Sequence, residues 1–300
     1  VASEQKIEII RQNDCHTNTY YSIFKPYNIM KKIVLSLSIL ATLLSCETTS
    51  KEIPANPGDT SDVIINDSTS LGKVLELVPL KDSPEFGDAI LELNSPAEGS
   101  MLKSNNVKFS YEIKNYQLTK PTVEGSCAIS CANSDKGQHI HLILNNAPYL
   151  AKYSPSFTDT LPDGHYIALS FLSRSYHESL KHFGASDVRQ FTVGKATPEK
   201  VDLTKPMMFY SRPKGEYKGK DTANVLLDFF LVNTTLSETG NKVRATVNGK
   251  SFIITDWRGY ILKGLPLGES TVKLELLDAS ENAIPGKYNV VERKITLLKQ

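Results

Sequence analysis

Val107-Lys-Phe-Ser-Tyr-Glu-Ile-Lys-Asn-Tyr-Gln-Leu118 aligns without gaps onto Val225-Leu-Leu-Asp-Phe-Phe-Leu-Val-Asn-Thr-Thr-Leu236. The matches fall on alternate positions: Val107 with Val225, Phe109 with Leu227, Tyr111 with Phe229 and Ile113 with Leu231. A period of two puts those side chains on one face of a strand. Further along, Ile140-His-Leu-Ile-Leu-Asn-Asn146 falls on Val243-Arg-Ala-Thr-Val-Asn-Gly249, each ending in a dipeptide suited to a tight hairpin turn. Leu161-Pro-Asp-Gly164 then falls on Leu265-Pro-Leu-Gly268, and with one residue of slack Ile167, Leu169 and Phe171 meet Val272, Leu274 and Leu276. No amphipathic stretch longer than about ten residues competes with these strands. The pattern predicts an all-β chain of two tandem Ig-like antiparallel β-sandwich domains. They are expected at 87–195 and 202–300, joined by Ala196-Thr-Pro-Glu-Lys-Val201. Each copy holds its own partner blocks, so each is expected to fold alone.

Three hundred residues suit two such domains plus a tail, and 34 Lys plus Arg against 33 Asp plus Glu leave a net charge of +1. That balance excludes nucleic-acid binding through a general basic surface. Four cysteines exclude a disulfide-dense scaffold. Residues 30–46 read Met-Lys-Lys-Ile-Val-Leu-Ser-Leu-Ser-Ile-Leu-Ala-Thr-Leu-Leu-Ser-Cys: two cations, an apolar run, then a small residue before Cys. This is the order of an export signal, and the run Ile33 to Leu44 falls short of the ~20 residues a spanning helix needs. Leu43-Leu44-Ser45-Cys46 resembles the lipobox of bacterial lipoproteins. The resemblance implies a signal peptide at 30–45, lipidation of Cys46, and anchoring to the cell envelope, with the outer membrane as the expected site. Residues 1–29 are expected to be an upstream extension ahead of initiation at Met30. Removing 1–45 takes away five cations and three anions, so the remainder carries −1. Residues 46–86, rich in Thr, Ser, Asp, Pro and Gly, read as a flexible stalk.

Catalytic templates fail in turn. His177-Glu178-Ser-Leu-Lys-His182 places its second His at i+5, about 140° round a helix from the first, so one metal could not meet both. Gly215-Glu-Tyr-Lys-Gly219-Lys220-Asp221 has three residues between its glycines where a phosphate loop needs four. No nucleophile elbow, dinucleotide fingerprint or calcium loop occurs, and no enzyme activity is expected. The two copies differ instead in their chemistry. His139, His141, His165, His177 and His182 lie in the first copy with Cys127 and Cys131, and the second copy has neither residue type. By parity Ile140, Leu142 and Leu144 point inward, so His139 and His141 are expected on the outer, solvent face. Two readings fit Cys127-x3-Cys131-x7-His139-x-His141. Either the cysteines form a small disulfide outside the cytoplasm, or all four residues bind Zn or Cu. The disulfide is the preferred one, and no cofactor is expected beyond such a metal. Ser173 to Phe183 departs from the repeat and gathers Arg174, Tyr176, His177, Lys181 and His182, candidates for gripping an anionic or hydroxylated ligand.

Gly137-Gln-His-Ile-His-Leu-Ile-Leu-Asn-Asn-Ala-Pro-Tyr149, Leu172-Ser-Arg-Ser-Tyr-His-Glu-Ser179 and Tyr210-Ser-Arg-Pro-Lys-Gly215 together resemble a family of Bacteroidota lipoproteins of unassigned role, sometimes labelled phosphopeptide-binding. The likeness spans roughly 87–300. It implies a non-enzymatic, lipid-anchored envelope protein that binds or assists an unknown protein, peptide or glycan. A periplasmic metal-binding protein is the alternative.

Overall fold

The aligned blocks are strands in the computed structural model, which describes residues 74–300. The leader, Cys46 and the stalk up to residue 73 lie outside the described residues. The first pair of blocks becomes Asn106–Lys114 and Val225–Val232. The second becomes His139–Leu144 and Lys242–Val247, and the third Gly164–Ser173 and Gly268–Leu277. In both copies the third-block strand lies between the second-block strand and a following strand, Ser186–Val193 or Val290–Leu298. Each copy also adds a short parallel strand beyond it, Met101–Leu102 or Gly215–Lys218. The repeat therefore extends from pattern to topology. The described residues are all β, two tandem Ig-like sandwiches, with short helical turns at Ser126–Ser130 and Gly219–Thr222. Among the described residues no helix is long and apolar enough to cross a membrane.

Each sandwich has its own core. Val107, Phe109, Tyr111, Ile140, Leu142 and Phe191 are buried in the first, and Val225, Leu227, Phe229, Val243, Leu274 and Ile295 in the second. The one-residue slack in the third block is a misreading. Ile140 pairs with Leu172 and Val243 with Leu276, so Leu172, not Phe171, corresponds to Leu276. Aligned without slack, Ile167, Leu169 and Phe171 stand where the second copy has Thr271, Lys273 and Glu275. Those three side chains point out of the first core, and all are fully buried.

What buries them is the other sandwich. Ile143, Ile167, Leu169 and Phe171 pack against Met207, Phe209, Phe230 and Tyr288 in a third apolar cluster. Phe171 stacks on Phe230 at 4.9 Å between ring centroids. Burying a large apolar side chain contributes roughly 1.5–3 kcal/mol, so each of these residues adds to the seam that joins the two sandwiches. It also corrects the expected exposure of His139 and His141. Their parity is outward, but the outer face is covered, and both are fully buried.

The stalk ends earlier than the 46–86 expected. Glu76–Pro79 is an edge strand of the second sandwich, antiparallel to Tyr260–Lys263. Leu75 and Leu77 pack on that core, and the Lys250 ammonium donates to the Leu75 carbonyl. Its sheet partner lies beyond the whole first sandwich in sequence, which is why a local reading leaves it in the tether.

Candidate metal centre

His139 and His141 leave the same face of the strand His139–Leu144, two residues apart. Their neighbour strand ends at Ser173, the cross-strand partner of His139, so the loop that follows passes directly over the imidazole pair. That loop closes tightly: Ser173 bridges Ser179, and the His177 amide donates to the Arg174 carbonyl at 2.9 Å. His177 closes the turn with φ 74°, the left-handed region, uncommon for a side chain with a Cβ. The result brings a third imidazole onto the first two.

Three ring nitrogens converge. His139 Nε2 lies 2.9 Å from His141 Nε2 and 3.0 Å from His177 Nδ1. One ligand nitrogen from each residue falls within 4.8 Å of the others. Nitrogens bound to one tetrahedral ion at about 2.1 Å stand about 3.4 Å apart, so to share an ion the two hydrogen-bonded pairs would open by about 0.5 Å and the third would adjust to the same spacing. The outer nitrogens of His139 and His141 are already occupied. His139 Nδ1 is 2.8 Å from the Gly137 carbonyl, which can only accept, so Nδ1 carries the proton and Nε2 the lone pair. His141 Nδ1 is 3.3 Å from the Ser211 hydroxyl of the second sandwich. Hydrogen bonding the far nitrogen to a carbonyl or hydroxyl is how proteins orient metal-binding imidazoles.

The hydrogen-bond count points the same way. His139 Nε2 offers one in-plane lone pair and faces two ring nitrogens, so it can accept well from only one of them. A cation at the convergence point would engage all three. Burial pushes the His139 pKa down to about 4 and holds those of His141 and His177 well below the ordinary imidazole value, with neighbouring imidazoles and Arg212 adding to it. All three rings are therefore neutral near pH 7, the form that binds metals. Tyr149 completes the enclosure, stacking on His141 at 3.5 Å and 7° with its hydroxyl 3.2 Å from His177 Nδ1.

The four-residue set Cys127, Cys131, His139 and His141 does not form a site. Cys127 and Cys131 are joined in a disulfide, which removes both thiolates, and they pack with Leu80, Tyr176, Leu226 and Ile261. The residue that joins His139 and His141 instead is His177, which the sequence placed in the separate anion-gripping group. That group is itself dispersed by the fold. Arg174 is buried and paired with Glu178 at 3.2 Å, and Tyr176 is buried beside the disulfide. Lys181 pairs with the buried Asp228, and His182 Nε2 donates to the Ala89 carbonyl at 2.9 Å. Arg174, Lys181 and His182 do line a cleft of about 350 Å³ with Phe86 and Trp257, but Tyr176 and His177 face elsewhere.

No family model matches the chain, and no curated protein matches it. Solved structures similar to it include the fibronectin(III)-like modules of Clostridium thermocellum CbhA, at 13% identity and TM-score 0.25, covering 70% of this chain and 95% of that one. The Bacteroides ovatus mixed-linkage glucan utilization protein SGBP-B, in complex with a heptasaccharide, is similar at 8% identity and TM-score 0.21, covering 70% of each chain. An ice-binding adhesin of an Antarctic bacterium is similar at 11% identity and TM-score 0.20, covering 73% of this chain and 50% of that one. The fold assignment rests on the strand topology above.

Proposed function

We propose that this is a non-enzymatic, lipid-anchored protein of the cell envelope whose ligand is a transition-metal ion, held by His139, His141 and His177. The observation that carries the reading is the convergence of three neutral, buried imidazole nitrogens, with the far nitrogens of His139 and His141 oriented by Gly137 and Ser211. An all-nitrogen set of this kind suits Zn or Cu. Burial at the seam slows exchange with solvent, as befits holding an ion more than turning over a substrate. The lipobox at Cys46 supplies the anchor. A palmitate analogue incorporated in cells should label the wild-type chain and not Cys46→Ser.

Zinc and reduced copper titrated into residues 74–300 test the metal assignment. One ion per chain should bind, and His177→Ala should weaken binding at least about 100-fold while the circular dichroism spectrum is unchanged. Retention of one tightly bound ion by a His139→Ala/His177→Ala variant would sink the reading.

A further inference from the structure

Beside the imidazole triad, across the Tyr149 ring, lies a group of three cations with no anion. His141 covers one face of that ring at 3.5 Å, so the Lys214 ammonium, 3.7 Å from its centroid, sits on the other. Arg212 is 5.3 Å from the same ring, and Arg293 lies 4.3 Å from the ring of Tyr210. Burial, then the charges of Arg212 and Arg293, lower the Lys214 pKa to about 8. Among the described residues no carboxylate pairs with any of the three. Asp228, opposite Arg212 in the strand register, is already taken by Lys181 and Ser179.

The hydrogen bonding is equally one-sided. Arg212 Nη1 and the Lys214 amide both donate to the Tyr217 hydroxyl, at 3.1 and 3.3 Å. With its oxygen accepting twice, Tyr217 has its own proton to give. Lys214 spends one proton on the Tyr149 carbonyl at 2.8 Å, and Arg293 Nη2 donates to the Asn146 carbonyl at 2.9 Å. Arg212 Nε, Arg293 Nη1 and the Tyr210 hydroxyl are buried with no partner. Arg212 is only 8% exposed, and Tyr210 not at all. A buried guanidinium that lacks an anion is costly, and here every spare group is a donor. Lys214 and Arg293 are half-buried, so one side of the group opens to solvent.

We propose that Arg212, Lys214 and Arg293, with the hydroxyls of Tyr210 and Tyr217, form a binding site for a divalent oxyanion of the sulfate or phosphate type. A monovalent carboxylate would offset one charge of three. A divalent oxyanion offsets two and accepts from several donors at once, the geometry that guanidinium forks match. The site does not rest on the metal assignment, since it uses none of the three imidazoles.

The test is calorimetric titration of metal-free protein with sulfate, phosphate and acetate at constant ionic strength in chloride. One sulfate or phosphate per chain should bind, with acetate at least about tenfold weaker. Lys214→Met and Arg293→Met, both at half-buried positions, should each weaken sulfate at least about tenfold. Lys108→Met, exposed on the first sandwich, should not change it. His177→Ala should lose metal yet keep the oxyanion, which separates failure of this site from failure of the metal reading. Absence of saturable binding up to about 20 mM sulfate, undiminished binding in Lys214→Met, or equal weakening in Lys108→Met would each overturn the proposal.

Discussion

Phe230→Ala tests whether the two sandwiches act as one folded unit. Phe230 is 3% exposed, stacks on Phe171 at 4.9 Å and meets Trp257 edge-on at 5.0 Å, yet it belongs to neither sandwich core. Truncating a buried Phe costs about 3–5 kcal/mol. For roughly 200 residues each kcal/mol lowers Tm by about 2–4 °C, so a fall of about 6–20 °C is expected. Differential scanning calorimetry reads both the shift and its shape. A single transition that moves as a whole means that seam and cores melt together, whereas a split transition would mean the seam opens first. The pairwise part comes from a double-mutant cycle with Phe171→Ala, where an aromatic pair should give about 0.5–1.5 kcal/mol of coupling. A total cost below about 1 kcal/mol would refute the reasoning, because it would mean that the seam is open in solution and that the imidazoles are not buried.

Replacing the disulfide with Cys127→Ser/Cys131→Ser should cost no more than about 2 kcal/mol, the loop being so short, and should leave metal stoichiometry at one. Thiol titration of the unreduced protein should find neither cysteine free. Lys214 gives a pH dependence whose sign is set by its depressed pKa. The unfolded chain holds the proton up to the ordinary lysine value of 10.5 and the folded chain only to about 8, so wild-type stability should rise relative to Lys214→Met between those pH values and run parallel below them. Denaturant melts across that window check it, and a difference falling with pH would contradict the burial of Lys214. The fragment 202–300 bares Met207, Phe209, Phe230 and Tyr288 and lacks the edge strand Glu76–Pro79, so it should self-associate where 74–300 stays monodisperse by light scattering.

The fold was legible where the pattern is one-sided. Val107, Phe109 and Tyr111 alternate with polar residues, and so do Val272, Leu274 and Leu276, because one face of each strand meets water. It was not legible in Tyr166-Ile-Ala-Leu-Ser-Phe-Leu172, which is apolar on both parities because both faces are covered. Period-two reading cannot tell which set is inner. The signal that could have found the seam was the comparison with Thr271, Lys273 and Glu275: apolar residues in one copy stand where the other keeps polar ones. The same covered face explains the histidines. Their parity could be read from Ile140 and Leu142, but their burial depends on Tyr149, His177 and, from the second sandwich, Ser211, which come together only in the fold. His177 was out of reach for a different reason. Its place over His139 depends on a left-handed turn at His177, with no glycine or Asn-Gly pair in Ser173 to Phe183 to mark it. The stretches around His139, His177 and Ser211, far apart in sequence, meet at the centre.

X-ray absorption at the metal edge of zinc- or copper-loaded protein addresses the central claim most directly, because nitrogen and sulfur ligands differ in distance and scattering. Binding by the three imidazoles gives a shell of about three nitrogen or oxygen atoms at about 2.0–2.1 Å with imidazole outer scattering, reduced in His177→Ala. A sulfur shell at about 2.3 Å would contradict it, placing the ion on Cys127 and Cys131 and not on the three buried imidazoles.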